Sequence, residues 1–191
     1  MAEFLLQKTN AEKVVPVYCE IMSRFPNIFA LADTGVDELR QILKPLGLYY
    51  RATRIKTSVQ NIVDKYRGHI PNNLEQLIEL PGIGDYMANA ILCFAYRQSR
   101  SLIDTNSARV LGRVWSVSTG KRPRTDKELW AFAGELVPAD VPREYNWALI
   151  DLAHLVCKPK KPLHEICPLT SLCVFHREGG DGDVRRDSRG R

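Results

Sequence analysis

"LIELPGIGDYMANAILCFAY", residues 77–96, decides how the chain is read. An apolar helical pattern ends at Leu80, Pro81 and Gly82 force a tight turn, Gly84 permits a second close approach, and a new helix is expected from about Asp85. Such a hairpin leaves the backbone N–H groups of Gly82, Ile83 and Gly84 pointing outward beside a helix N-terminus, a seat for one phosphate. It positions a nucleic-acid backbone without reading its sequence. An ordinary helix–helix turn with two glycines has the same composition, so the stretch draws its meaning from its surroundings.

Downstream, "SLIDTNSARVLGRV" (101–114) delivers Asp104 to the start of a helix, eighteen residues after Tyr86. An aspartate there is commonly just a cap, worth about 1 kcal/mol. Upstream, "TNAEKVVPVYCEIMSRFP" (9–26) reads as an amphipathic helix with Thr9 and Glu12 as a capping box, an apolar face of Val14, Tyr18, Ile21, Met22 and Phe25, and Pro16 kinking it or confining it to the later turns. "GVDELRQILKPLG" ends at Pro45 and Gly47. "YYRATRIKTSVQNIVDKYRG" places Ala52, Ile55, Val59, Ile62, Val63 and Tyr66 on one face with Gly68 as its stop, and Asn72 or Asn73 caps the helix leading into the hairpin. In the second half "TDKELWAFAGELVP" follows a capping box of Thr125 and Glu128, and "PREYNWALIDLAHLVC" follows that. No segment sustains strand alternation, so the fold is expected to be all-α. The Gly-rich, charged tail 177–191 is expected to be disordered.

The 191 residues suffice for one compact domain or two small lobes. No apolar run reaches the length of a membrane span and no secretion signal opens the chain, so it reads as soluble and cytosolic. A net charge of +5 hints at an anionic partner. Of the five cysteines, Cys19 and Cys93 lie in apolar helical patterns and are read as core. The other three fall within "CKPKKPLHEICPLTSLC" (157–173), and clustered cysteines in a reducing compartment more often bind metal than pair.

With hairpin, Asp104 helix and cysteine loop together, the chain resembles the helix-hairpin-helix DNA glycosylase superfamily, which includes endonuclease III, the adenine glycosylases of A/G mismatches and the G/T mismatch glycosylases. "EFLLQKT", "LPGIGDYMANAI", "LIDTNSARVLGRV" and the cysteine loop occur in the family's order, from about Glu3 to Cys173. The resemblance implies a two-lobed glycosylase domain over 1–176, with a middle lobe of about 20–118 and a second lobe from the terminal segments with the loop 157–173. It implies double-stranded DNA as partner, bound across the cleft by a monomer, and a cytoplasmic, nucleoid-associated location.

It also implies the chemistry. The family flips a nucleotide out of the duplex and cleaves its N-glycosidic bond through an oxocarbenium-like transition state. Asp104 matches the family's catalytic aspartate. A carboxylate about 4 Å from the developing charge contributes roughly 4 kcal/mol at an effective dielectric near 20, about three orders of magnitude in rate. Tyr86 falls where bifunctional members place a lysine that attacks the sugar. A phenol forms no Schiff base, so a monofunctional enzyme without lyase activity is expected, and tyrosine there resembles the G/T branch. Thymine or uracil opposite guanine is the implied substrate; adenine removal from A/G pairs is an alternative. Gln7 matches a glutamine inserted where the base has left, and Glu3 an acid in the base pocket.

The chain departs from the family's pattern twice. Relatives carry a further segment ahead of the glutamine stretch that helps form the base pocket, so Met1 is expected not to be the true start. If it is, a non-catalytic DNA-binding relative becomes the alternative. The family's cysteine loop runs C-x6-C-x2-C-x5-C around a [4Fe-4S] cluster. This chain runs C-x6-H-x2-C-x5-C, as Cys157, His164, Cys167 and Cys173. Three readings stand: a Cys3His iron-sulfur cluster, a structural zinc site with the same donors, or no metal. His176 is a possible substitute ligand. Lys158, Lys160 and Lys161 lie inside the loop, where the family contacts the phosphate backbone.

Overall fold

The computed structural model describes residues 1–7, 9–47 and 49–180. Among these every regular element is helical, as the absence of strand alternation predicts. No helix among them is long and apolar enough to cross a membrane. Contacts divide the chain into two compact units, Met1–Leu92 and Cys93–Arg191.

The first unit holds α1 (Ala2–Leu6), α2 (Ala11–Arg24), α3 (Ile28–Asp33), α4 (Val36–Leu43), α5 (Ala52–Tyr66), α6 (Leu74–Ile78) and most of α7 (Asp85–Phe94). Helix α2 runs straight through Pro16, so the proline does not confine it to the later turns. Its cap is Asn10, whose side chain accepts from the Glu12 N–H, rather than Thr9, whose hydroxyl bonds back to Gln7 O. Its buried face is Val14, Val17, Ile21 and Phe25; Met22 is exposed, and Cys19 is exposed instead of core. At 3.6 residues per turn, Cys19 falls midway between Val17 and Ile21 in sequence and so on the far side of the helix from both, and Met22 lies about 100° past Ile21.

Helix α5 is the spine. Ile55 and Val59 join the cluster made with α2, α3 and α4, while Ile62 joins a second with Leu77, Leu80, Ile83, Met87, Ala88 and Leu92. Each such buried side chain stabilises by roughly 1.5–3 kcal/mol. The helix ends on Arg67 and Gly68, both at positive φ, as the glycine predicts. Asn73 caps α6 through the Gln76 N–H. The turn after α6 is tied to the spine by Ser58 Oγ, which donates to Pro81 O at 2.7 Å.

In the second unit, α8 (Thr105–Trp115) separates two small cores. Ala108 and Leu111 pack with Ile103, Leu129 and Ala133 toward α9 (Lys127–Glu135). Val110 and Val114 pack with Ala153, Cys157 and Cys173, beside α10 (Pro142–Asp151) and the short α11 (Val174–Arg177). Asp126, accepting from the Leu129 N–H, caps α9 in place of Thr125. After α10 the chain widens into a π-helical turn, Leu152–Val156, closed by the Cys157 N–H on Leu152 O. Cys93 is core, as expected, within reach of Asn146 Nδ2 and Pro142 O. Of the expected disordered tail, Arg177 closes α11 and the N–H groups of Glu178, Gly179 and Gly180 bond back into it; 181–191 lie outside the described residues.

Gly82 and Gly84 differ in what holds them. Gly82 sits at φ +86°, and a Cβ there would lie 3.2 Å from the Phe4 ring and 3.4 Å from Arg54 Cβ. At Gly84 a Cβ would meet nothing within 4 Å. Gly82→Ala is therefore expected to cost about 1–2 kcal/mol in urea unfolding, and Gly84→Ala less than about 0.5 kcal/mol.

Candidate functional site

The hairpin turn is built by α6, Pro81 and the start of α7. Of the three backbone donors expected to face outward, Ile83 does not: its N–H is spent on Leu80 O at 3.1 Å and its side chain is buried. Gly82 and Gly84 are exposed. Nothing in the fold requires glycine at 84, so the free space over it is available to an external group approaching the backbone. Tyr86, the second residue of α7, is half-buried.

Asp104 caps α8. Its Oδ1 accepts from the N–H groups of Asn106 and Ser107, both at 2.8 Å, while Ser107 Oγ accepts from the Asp104 N–H to close a capping box. Oδ2 accepts only from Asn106 Nδ2, at 3.1 Å. Asn106 is itself oriented by Arg109, whose Nη1 donates to Asn106 Oδ1 at 3.0 Å. The rest of that guanidinium reaches the approach to the cysteine loop: Nε donates to Cys157 O at 2.9 Å and Nη2 to Ala153 O at 2.7 Å. A chain of hydrogen bonds thus runs from the loop to the carboxylate.

One turn further along α8, Arg113 is 3% exposed. Its Nη1 donates to Lys158 O at 2.7 Å and reaches Cys157 Sγ at 3.4 Å, its Nη2 donates to Pro159 O at 2.6 Å, and its guanidinium stacks on Phe175. It has no carboxylate partner among the described residues, and its Nε is buried without a hydrogen bond. Holding the two carbonyls fixes the backbone that carries Lys158, Lys160 and Lys161, whose side chains are exposed. Sequence reasoning missed Arg109 and Arg113. Their i, i+4 spacing on the Asp104 helix put them on one face, but a basic pair on a helix otherwise reads as solvated surface.

The four expected donors line one cavity, shared with Arg113 and Phe175. Cys157 and Cys173 are buried, Cys167 and His164 half-buried. Among the described residues no three His, Cys, Asp or Glu side chains converge closely enough to grip a single ion. Three cysteines and a histidine round one cavity are donor types that an iron-sulfur cluster takes, and thiolate ligands would supply negative charge beside the buried guanidinium. The residues present therefore fit an iron-sulfur cluster.

At the N-terminus, Glu3 lies half-buried on α1 and Gln7 half-buried just after it. Burial raises the Glu3 carboxyl above its ordinary range, an effect partly offset by the neighbouring N-terminal ammonium.

The profile of the HhH-GPD superfamily of base excision DNA repair proteins matches residues 1–135, and the chain belongs to that family. The profile of the iron-sulfur binding domain of endonuclease III matches residues 157–173. The chain is 42% identical to a thymine-DNA glycosylase of Aeropyrum pernix, over 92% of this chain and 81% of that one. It is 40% identical to a thymine/uracil-DNA glycosylase of Pyrobaculum aerophilum, over 93% and 80%. An adenine DNA glycosylase of Buchnera aphidicola is 36% identical, with only 49% of its length covered. The solved structure of a thermostable thymine-DNA glycosylase superposes with a TM-score of 0.87 at 29% identity, over 93% of this chain and 82% of that one.

Two measurements check the site. A carboxyl with a raised folded-state pKa binds more protons folded than unfolded, so stability falls as pH rises from the ordinary value of 4.5 through the folded pKa. Glu3→Gln is expected to flatten that fall in thermal melts across the acid range. Arg113→Gln, which releases two charge-assisted hydrogen bonds, is expected to lower unfolding free energy by about 3 kcal/mol or more and to reduce the iron retained on purification.

Proposed function

We propose that this chain is a monofunctional DNA glycosylase that hydrolyses the N-glycosidic bond of a thymine or uracil opposite guanine and leaves an abasic site. The observation that carries the reading is the combination, in one family member, of Asp104 at the helix start with tyrosine at position 86. Two relatives named for thymine or thymine/uracil match at 40–42% identity over nine-tenths of the chain.

In this reading duplex DNA is held by its backbone. Gly82 and Gly84 admit a phosphate to the hairpin, with Ile83 serving to pin the turn from inside, and Lys158, Lys160 and Lys161 meet the phosphates from the cysteine loop. Gln7 fills the gap left by the flipped nucleotide and Glu3 lies against the base. As the bond between base and sugar lengthens, positive charge grows on the sugar, and the Asp104 carboxylate stabilises it. The less occupied Oδ2 is the oxygen for that task, with Oδ1 anchored by the helix N-terminus. Water then completes the hydrolysis. Tyr86 offers no amine to form a covalent sugar adduct, so no strand scission follows.

Cys157, His164, Cys167 and Cys173 are the proposed ligands of a [4Fe-4S] cluster, which supplies structural support and negative charge to the loop. The same proposal includes action as a monomer, a location in the cytoplasm on the nucleoid, and a middle lobe of about 20–118 completed by the terminal segments.

Duplexes carrying G/T or G/U pairs, incubated with the protein and then treated with alkali, are expected to break at the pyrimidine only after the alkali step. Asp104→Asn, which keeps a good cap, is expected to slow single-turnover base loss by about three orders of magnitude. Breakage without alkali contradicts the monofunctional reading, and undiminished activity in Asp104→Asn contradicts the assignment of the carboxylate.

A further inference from the structure

His164 and His176 meet ring to ring, with Nδ1 to Nδ1 at 2.9 Å and ring centroids 4.5 Å apart at 70°. Two imidazole nitrogens at that distance share one proton between them, because two lone pairs or two N–H groups would repel. The rings are not equivalent. His164 is half-buried and lines the cavity with the three cysteines, whereas His176 is exposed and does not line it. The Nδ1 of His164 is thus spent on His176, which leaves Nε2 as its other ring nitrogen.

We propose that His176 is a positioning residue for the metal centre, selecting the tautomer in which His164 ligates through Nε2. This rests on the Cys3His reading above. A neutral ligating imidazole presents a lone pair at one nitrogen and carries its proton on the other. With Nε2 as ligand, His164 Nδ1–H donates to His176 Nδ1, and His176 carries its own proton on Nε2. The position of His176 is set by α11, which starts at the ligand Cys173: the Arg177 N–H closes the turn on Cys173 O at 3.1 Å. His164 also meets Phe175 edge-on, with centroids 6.2 Å apart, and Phe175 carries the Arg113 guanidinium on its face. One short turn therefore supplies a ligand, the residue that orients a second ligand, and the ring that seats the buried arginine. Replacing a thiolate by an imidazole creates a need the all-cysteine loop does not have, since a thiolate has no tautomer to fix. A histidine three residues beyond the last cysteine meets that need.

The test uses the full chain purified anaerobically, with histidine labelled with 15N at Nδ1 or at Nε2. Pulsed EPR of the reduced protein is expected to show the strong coupling of a directly bonded nitrogen from Nε2 alone. Loss of the cluster's visible absorbance to a chelator is expected to be about 10-fold faster in His176→Ala. In His176→Asn, whose amide oxygen accepts the same proton, the rate should stay near that of the unaltered chain. In a His164→Cys background the His176→Ala change should have no effect. Zinc in place of iron, or a cluster with no bonded histidine nitrogen, overturns the reading of a Cys3His iron-sulfur cluster on which this rests. A bonded nitrogen at Nδ1, or His176→Ala releasing the cluster no faster while nitrogen coupling persists, overturns only the role of His176.

Discussion

The buried guanidinium of Arg113 is the constraint on which the second unit depends. A positive charge taken out of water without a carboxylate costs several kcal/mol. Two backbone carbonyls, the face of Phe175 and the sulfur of Cys157 surround it, and one nitrogen still lacks a partner. Carbonyl dipoles offset part of that cost; in the proposed cluster, thiolate ligands would offset more. The loop that holds the metal donors is thereby the same loop that turns three lysines outward, and the arginine fixes both at once. The donor set, the buried charge and the match to the iron-sulfur binding domain of endonuclease III agree on what the cavity is for.

Helix α8 carries this constraint toward the chemistry. Arg109 grips Cys157 O and Ala153 O with one edge and orients Asn106 with another, and Asn106 donates to Asp104 Oδ2. The catalytic role proposed for Asp104 does not compete with its cap, because the cap uses chiefly Oδ1. In the first unit the hairpin shows a similar division of labour. Gly82 is required by the fold itself, through its positive φ and its contacts with Phe4 and Arg54, whereas Gly84 is required by nothing inside the protein. The open space over Gly84 is where the proposed phosphate contact would fall.

Much of this was legible in the sequence. Helical periodicity located α4, α5 and α8 because their buried faces are regular, and Gly47, Gly68 and Gly82 marked turns that lie at positive φ. What failed were choices between neighbours. Asn10 and Asp126 cap α2 and α9 where Thr9 and Thr125 were expected, since a better capping acceptor stood one residue along. Cys19 lies on the face of the helix opposite Val14, Val17 and Ile21 and faces solvent. Three outward N–H groups were expected at the hairpin, but the Ile83 donor turns inward because its side chain is needed in the core. Arg109, Arg113 and the pairing of His164 with His176 depend on contacts between segments far apart in the chain, which no local pattern encodes. The four candidate ligand positions came from the resemblance to the family's cysteine loop, and all four line one cavity.

The identity of the base removed tests the account most directly. Mass spectrometry of the small molecules released from a mixture of duplexes with G/T, G/U and A/G pairs is predicted to find free thymine and free uracil. Free adenine, with neither pyrimidine, would contradict it.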